Sequence, residues 1–149
     1  MNQLKRILLV EDNLNDIELT VSTLRQNNLA NEIDVARHGG EALDHLYRRG
    51  AFQGRIGGNP IVVLLDLKMP KVDGLEVLRQ MKGDPSLKMI PVVMLTSSRE
   101  ETDLVKSYQL GANAYVVKPV GFEQFADAIR QLGIFWAVLN EPPPDNKGS

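Results

Sequence analysis

The chain has 149 residues, 43% of them hydrophobic and 24% charged, with a formal net charge of −2. This suits one ordinary domain able to bury a core without staples, and so small and interspersed a charge gives no nucleic-acid footprint and no polybasic membrane patch. The sequence contains no cysteine, which removes disulfides, thiolate catalysis and cysteine-ligated zinc.

The expected elements alternate strand and helix five times. Arg6 to Val10 (RILLV) reads as a buried strand, and Asn13 to Gln26 as a helix with Ile17, Val21 and Leu24 on one face. Glu32 to Ala36 is a short second strand, and Gly40 to Arg49 a helix carrying Ala42, Leu43 and Leu46. A glycine-rich loop, GAFQGRIGGNP, follows. Ile61 to Leu65 is the third strand, with a short helix from Leu75 to Met81 directing Leu75, Leu78 and Met81 inward. Ile90 to Leu95 is the fourth strand, Glu101 to Leu110 a helix, and Ala114 to Val117 the fifth strand. A long last helix runs from Phe122 to Leu139, with Phe125, Ile129, Leu132 and Trp136 as its stripe. His38 and His45, on or beside the second helix, read as solvated surface residues without a role. The ending EPPPDNKGS, residues 140–149, offers nothing to pack and is expected to be disordered. No apolar run reaches the length of a membrane span. The N-terminal MNQLKRILLVEDN meets acids too early for a secretory signal, so the cytoplasm is the expected compartment.

Near-continuous apolar strands separated by helices argue for an α/β, doubly wound parallel sheet covered on both faces. Ligands of such sheets bind beyond the carboxyl ends of the strands. Strand one ends in Glu11 and Asp12, strand three in Asp66, strand four in Thr96, and strand five in Lys118 followed by Pro119. Any one of these could be a cap or a turn former. Their joint position at one sheet edge is what that bland reading does not explain. Clustered acids repel one another unless a cation neutralises them, and hard oxygen donors without nearby His or Cys suit Mg²⁺. A lysine and a hydroxyl alongside can hold phosphoryl oxygens, which leaves Asp66 as a carboxylate nucleophile able to form an aspartyl phosphate.

The pieces VEDN (10–13), LLDLKMPKVDG (64–74), PVVMLTSS (91–98) and GANAYVVKP (111–119) resemble the response-regulator receiver domains of two-component signalling, over residues 4 to 139. The resemblance implies a five-stranded flavodoxin-like sheet of order 2-1-3-4-5. It makes Asp66 the phosphoacceptor, with Mg²⁺ bound by Asp12, Asp66 and the backbone carbonyl of Lys68, and Glu11 acting through a metal-bound water. It places Thr96 and Lys118 on phosphoryl oxygens, makes Tyr115 a switch aromatic that turns inward when Thr96 moves, and puts a cis peptide before Pro119. Glu11 departs from the commoner Asp, and Lys68 stands where many members carry Asn or another small polar residue. The long loop and the Trp136 to Pro144 ending are similar to stand-alone receivers that partner bacterial and cyanobacterial phytochromes. From this follow a sensor histidine kinase as partner, no nucleic acid, no membrane, and a homodimer through the last helix. Ile134, Phe135, Val138 and Leu139 fall off that helix's inward stripe.

Two enzyme readings fit less well. A dinucleotide or P-loop site needs glycines after strand one, where the chain reads VEDNLND. A haloacid-dehalogenase-type phosphatase needs a second acid two residues beyond its nucleophile, where Lys68 stands. A signalling phosphoacceptor with limited self-dephosphorylation is expected instead of a turnover enzyme.

Overall fold

The computed structural model describes residues 5–30, 32–69, 72–119 and 121–136. Their chain order is β1 (Arg6–Val10), α1 (Leu14–Gln26), β2 (Glu32–Ala36), α2 (Gly39–Tyr47), β3 (Val62–Leu65), α3 (Gly74–Gly83), β4 (Val92–Thr96), α4 (Glu101–Gln109), β5 (Ala114–Val117) and α5 (Phe122–Ile134). The strands form one sheet of order β2-β1-β3-β4-β5, parallel at every pairing.

Alternation along the strands builds two cores. Leu8, Val10, Val63, Leu65, Val92 and Met94 face α2 and α3, packing on Leu43, Leu46, Val77, Leu78 and Met81. Ile7, Leu9, Val62, Leu64, Val93 and Leu95 face the other way, onto Leu24, Phe125, Ile129 and Trp136. A sheet covered on both faces leaves its polar backbone only the strand ends at which to meet a ligand.

Several boundaries move for local reasons. β4 starts at Val92 because Pro91 has no N–H; the Val92 N–H goes to the Asn113 side chain (2.9 Å) and Thr96 completes the strand. α2 starts at Gly39 and stops at Tyr47, where Arg48 turns into the left-handed region (φ 56°). α1 packs less through Ile17 and Val21, which are half-buried, than through Thr20, Thr23 and Leu24. Small side chains let it close on α5 at Gly133, where a Cβ would meet Leu29 at 2.5 Å and Leu24 at 2.8 Å. In α3, Val77 is fully buried while Leu75 is only partly so. The residues assigned to the helix beyond Trp136, and the expected disordered ending, lie outside the described residues.

His45 corrects its expected place on the surface. It is fully buried, its Nε2 lies 2.6 Å from Asp34 Oδ2, and its ring stands edge-on to Phe52 at 5.0 Å. Asp34 also accepts from Arg6 (2.6 Å), and Arg6 donates on to the Ile56 carbonyl (3.1 Å). Arg55 donates to the His45 carbonyl (3.0 Å), and Arg48 to the Arg55 and Gly57 carbonyls. The long loop is therefore pinned to the β1–β2 side by buried charge. His38 is half-exposed and caps α2, its Nδ1 accepting from the Glu41 N–H (3.1 Å).

Candidate functional site

The strand order reverses direction between β1 and β3, and both strands end there in acids. Glu11, Asp66 and Lys118 each stand one step past their strand yet stay tied to the neighbouring one. Glu11 N–H donates to the Ala36 carbonyl (2.9 Å), Asp66 N–H to the Val10 carbonyl (2.9 Å), and Lys118 N–H to the Thr96 carbonyl (2.7 Å). The turn after Asp66 closes tightly. Gly74 N–H reaches the Leu67 carbonyl (2.8 Å), and a Cβ on Gly74 would lie 2.2 Å from the Asp66 carbonyl oxygen. Asp73 then caps α3, accepting from the Glu76 N–H (3.0 Å).

Side chains converge on that edge. Glu11 (2% exposed), Asp66 (8%) and Thr96 (1%) are buried, and Asp12 is half-exposed. One carboxylate oxygen each from Glu11, Asp12 and Asp66 lies within 4.8 Å of the others. Lys118, with a side chain 9% exposed, contacts Glu11 Oε1 directly and sits 2.9 Å from Asp16 and 3.9 Å from Asp66. Glu11 Oε2 accepts from the N–H groups of Asp12 (3.0 Å) and Asn13 (3.1 Å), and Asp66 Oδ1 from Leu67 N–H (2.8 Å). Burial pushes the Glu11 carboxyl up to about 7; Asp66's charge adds to the rise, while Lys118 and the Asn13 N–H oppose it. Burial alone would lower Lys118, but its bond to Glu11 and the charges of Asp66 and Glu11 raise it overall. Among the described residues, the carboxylates of Glu11, Asp16 and Asp66 lie around the Lys118 ammonium, and Asp12 adjoins Glu11 and Asp66. With oxygen donors only and an excess of negative charge, the donor set fits a hard divalent cation.

Asp16 was not singled out in the sequence, although it lies one helical turn beyond Asp12 and so faces the same end. Lys68, by contrast, sends its ammonium to Glu100 (3.7 Å) and Asp103 (4.0 Å), with the side chain 62% exposed. The Lys118–Pro119 bond is trans, since no peptide among the described residues is cis. The Lys118 backbone bond to β4 already aims its side chain. Tyr115 is half-buried against the α2–α3 core, its hydroxyl donating to the Ser98 carbonyl (3.0 Å).

Residues 7–130 match the family model described as the response regulator receiver domain. This chain belongs to that family. Response regulator Rcp1 of Synechocystis sp. is 37% identical over 135 residues, covering 91% of this receiver and 90% of Rcp1. The Mn²⁺-bound crystal structure of Rcp1 superposes with a TM-score of 0.88 at 36% identity, covering 94% and 99%. The phosphorylated cyanobacterial phytochrome response regulator RcpA gives a TM-score of 0.89 at 38% identity, covering 95% and 99%. The bacteriophytochrome response regulator AtBRR is 64% identical, with a TM-score of 0.74 and coverage of 94% and 100%. The flavodoxin-like order 2-1-3-4-5 holds. No described helix of this receiver is long and apolar enough to cross a membrane.

Proposed function

We propose that this receiver is a phosphoacceptor that takes a phosphoryl group from a sensor histidine kinase onto Asp66 in a Mg²⁺-dependent reaction, and signals by changing conformation. The observation that carries the reading is the buried Asp66 carboxylate lying 3.9 Å from Lys118 and beside Glu11 and Asp12 at the strand-order reversal. An Asp66 oxygen forms the new O–P bond as the P–N bond of a phosphohistidine breaks, and the electron pair leaves with the imidazole nitrogen. Asp12, Asp66 and the Lys68 carbonyl would hold Mg²⁺ directly and Glu11 through water, and an ion held there would supply positive charge to the phosphoryl oxygens. Lys118 pairs with one of those oxygens and the Thr96 hydroxyl donates to another, with Tyr115 following Thr96. The Mn²⁺ form of Rcp1 and the phosphorylated form of RcpA support both halves of this reading.

Likeness to AtBRR and RcpA favours a phytochrome as the kinase, and with it a cytoplasmic receiver spanning residues 4–139. A homodimer through α5 is supported by apolar surface on α4, β5 and α5. Leu104 (37%), Val105 (45%), Tyr108 (50%) and Phe135 (49%) are exposed, and Ala114, Val116, Leu132, Phe135 and Trp136 line a groove of about 500 Å³. Ile134 is partly buried against its own core.

Intact-mass measurement after acetyl phosphate and Mg²⁺ tests the central step. A single persisting phosphoryl adduct is expected, and rapid multiple turnover would favour a phosphatase. Sedimentation tests the pairing: the wild type should be a dimer at micromolar concentration and Phe135→Glu should weaken it, whereas a monomeric wild type would remove the dimer.

A further inference from the structure

Lys118 stands among three acids and divides itself unequally between them. Its ammonium contacts Glu11 Oε1 directly and lies 2.9 Å from Asp16 Oδ2, but 3.9 Å from Asp66 Oδ2. That preference runs against burial. The Asp66 side chain is 10% exposed and that of Asp16 28%, and opposite charges attract more strongly where water is excluded. An ammonium has three N–H donors, enough for all three acids, yet the more buried partner is left beyond hydrogen-bond distance.

Two fixed backbones account for this. Asp16 stands in the first turn of α1, its N–H donating to Asn13 Oδ1 (3.0 Å). Across the site, the Lys118 N–H is tied to the Thr96 carbonyl (2.7 Å). The cap of α1 uses the Asp16 N–H and not its carboxylate, so the side chain is left to meet Lys118 and draws the ammonium toward α1.

We propose that Asp16 is a positioning residue that holds the Lys118 ammonium off Asp66 Oδ2 until a phosphoryl group arrives. The inference rests on the reading of Asp66 as the phosphoacceptor. Asp66 Oδ1 accepts from the Leu67 N–H (2.8 Å), and Oδ2 is the oxygen that faces Lys118. A hydrogen bond from the ammonium to Oδ2 would engage a lone pair of the attacking carboxylate, and would have to break before attack on phosphorus. With Asp16 in place, the lysine waits within reach of the incoming oxygens without engaging the nucleophile. After transfer, the added negative charge of the phosphoryl group draws it from Asp16, whose part-exposed ion pair is weak. Without Asp16 the ammonium keeps Glu11 and turns to Asp66, and the gap closes.

Intact mass followed over time with acetyl phosphate at saturating Mg²⁺ tests this on the whole protein. An Asp66 oxygen forms the O–P bond there as acetate leaves with the electron pair. Asp16→Asn, which keeps the shape, should take up the phosphoryl group roughly tenfold more slowly than the wild type, the scale of one charge-assisted hydrogen bond broken before attack. Asp16→Glu, which returns the charge, should recover to within about twofold. A merely structural role would slow uptake whatever stands at position 118. In Lys118→Gln, slower from the start, adding Asp16→Asn should change the rate by less than about twofold, because no ammonium is left to redirect. The Asp66 ¹³Cγ resonance of the unphosphorylated proteins reads the same coupling without turnover: Asp16→Asn should move it when Lys118 is present and leave it in Lys118→Gln. Asp16→Asn at the wild-type rate would overturn the proposal, as would an equal loss in Lys118→Gln, a loss that Asp16→Glu does not recover, or an Asp66 resonance that stays in place. A wild type that takes up no phosphoryl group would overturn the phosphoacceptor reading and the proposal with it, and mass shows this before any variant is compared.

Discussion

The receiver buries charge in two places, and they are built on opposite terms. At the strand ends, Glu11, Asp16 and Asp66 crowd around Lys118 and Asp12 adjoins them, so among the described residues there acids outnumber cations. On the β1–β2 side, Asp34 is shared by Arg6 and His45, and Arg55 and Arg48 lace the loop over them. The second cluster gives its one acid partners within the chain, aims its remaining cations at backbone carbonyls, and stitches a loop down. The first is left short of positive charge, and unpaired buried charge costs stability unless something arrives to complete it. A surplus of like charge held rigidly at the sheet edge therefore marks a reactive place, and a neutralised one marks a fastening.

Substitution should separate the two sharply. Asp66→Asn keeps shape but removes the nucleophile, so phosphoryl uptake measured by intact mass should fall by about a thousandfold or more. Its melting temperature should hold or rise as like-charge repulsion is relieved. A variant still phosphorylated at the normal rate would place the reactive group elsewhere. His45→Ala should do the reverse. Removing a fully buried ring and stripping Asp34 of a partner should cost about 3 kcal/mol in urea unfolding, with uptake at Asp66 kept wherever the protein is folded. Equal loss of both would erase the distinction between the clusters.

Metal provides the next contrast. Mg²⁺ at a hundredfold excess over its Kd should stabilise the wild type by about 2.7 kcal/mol, a rise in melting temperature of about 5–10 °C. Asp12→Ala should abolish the rise and His45→Ala should keep it. Equal responses in the wild type and Asp12→Ala would mean that the cation binds away from the acids.

The smallest effect is with pH. Burial holds His45 below its ordinary pKa, against the opposing bond to Asp34, with Arg55 and Arg6 adding to the depression. The folded chain thus keeps the ring neutral while the unfolded chain protonates it near pH 6.5. The stabilisation is present above about pH 6.5 and is lost as pH falls below it. Asp34 works in the same sense further down: burial alone would raise it, but the bonds from His45 and Arg6 hold it low. In His45→Gln the slope between pH 7 and 5.5 should flatten, and an unchanged slope would assign it to other groups.

The two clusters were also unequally visible in the sequence. The reactive edge was legible because it lies in one dimension: an acid, hydroxyl or lysine closes four of the five strands. Periodicity gave the five strands for the same reason, each being a short β-branched segment between turns. His45 was misread, although spacing alone placed it beside Ala42 and Leu46 on the inward face of α2. Its partner Asp34 sits in the alternating pattern of a different strand and its lid is a loop without periodicity, so nothing local showed that its ring would find a hydrogen-bond partner. Ser98, in the run TSS that closes β4, has the sequence of an ordinary cap. Its ties to Tyr115 and Asp103 depend on where β5 and α4 return, which no window of sequence shows.

Gly74 carries no functional group, yet it sits so close to the backbone of Asp66 that a single added carbon would meet the carbonyl oxygen at 2.2 Å. A mutational scan scored on phosphoryl uptake should therefore find positions 66 and 74 similarly intolerant for unrelated reasons, one for what it presents and the other for what it omits. Inheritance at this end of the sheet is constrained by absence as much as by chemistry. Anyone grafting the acid cluster onto another scaffold would have to carry the Asp-Gly turn with it, because four acids and a lysine on a looser turn would have the same composition and not the same geometry.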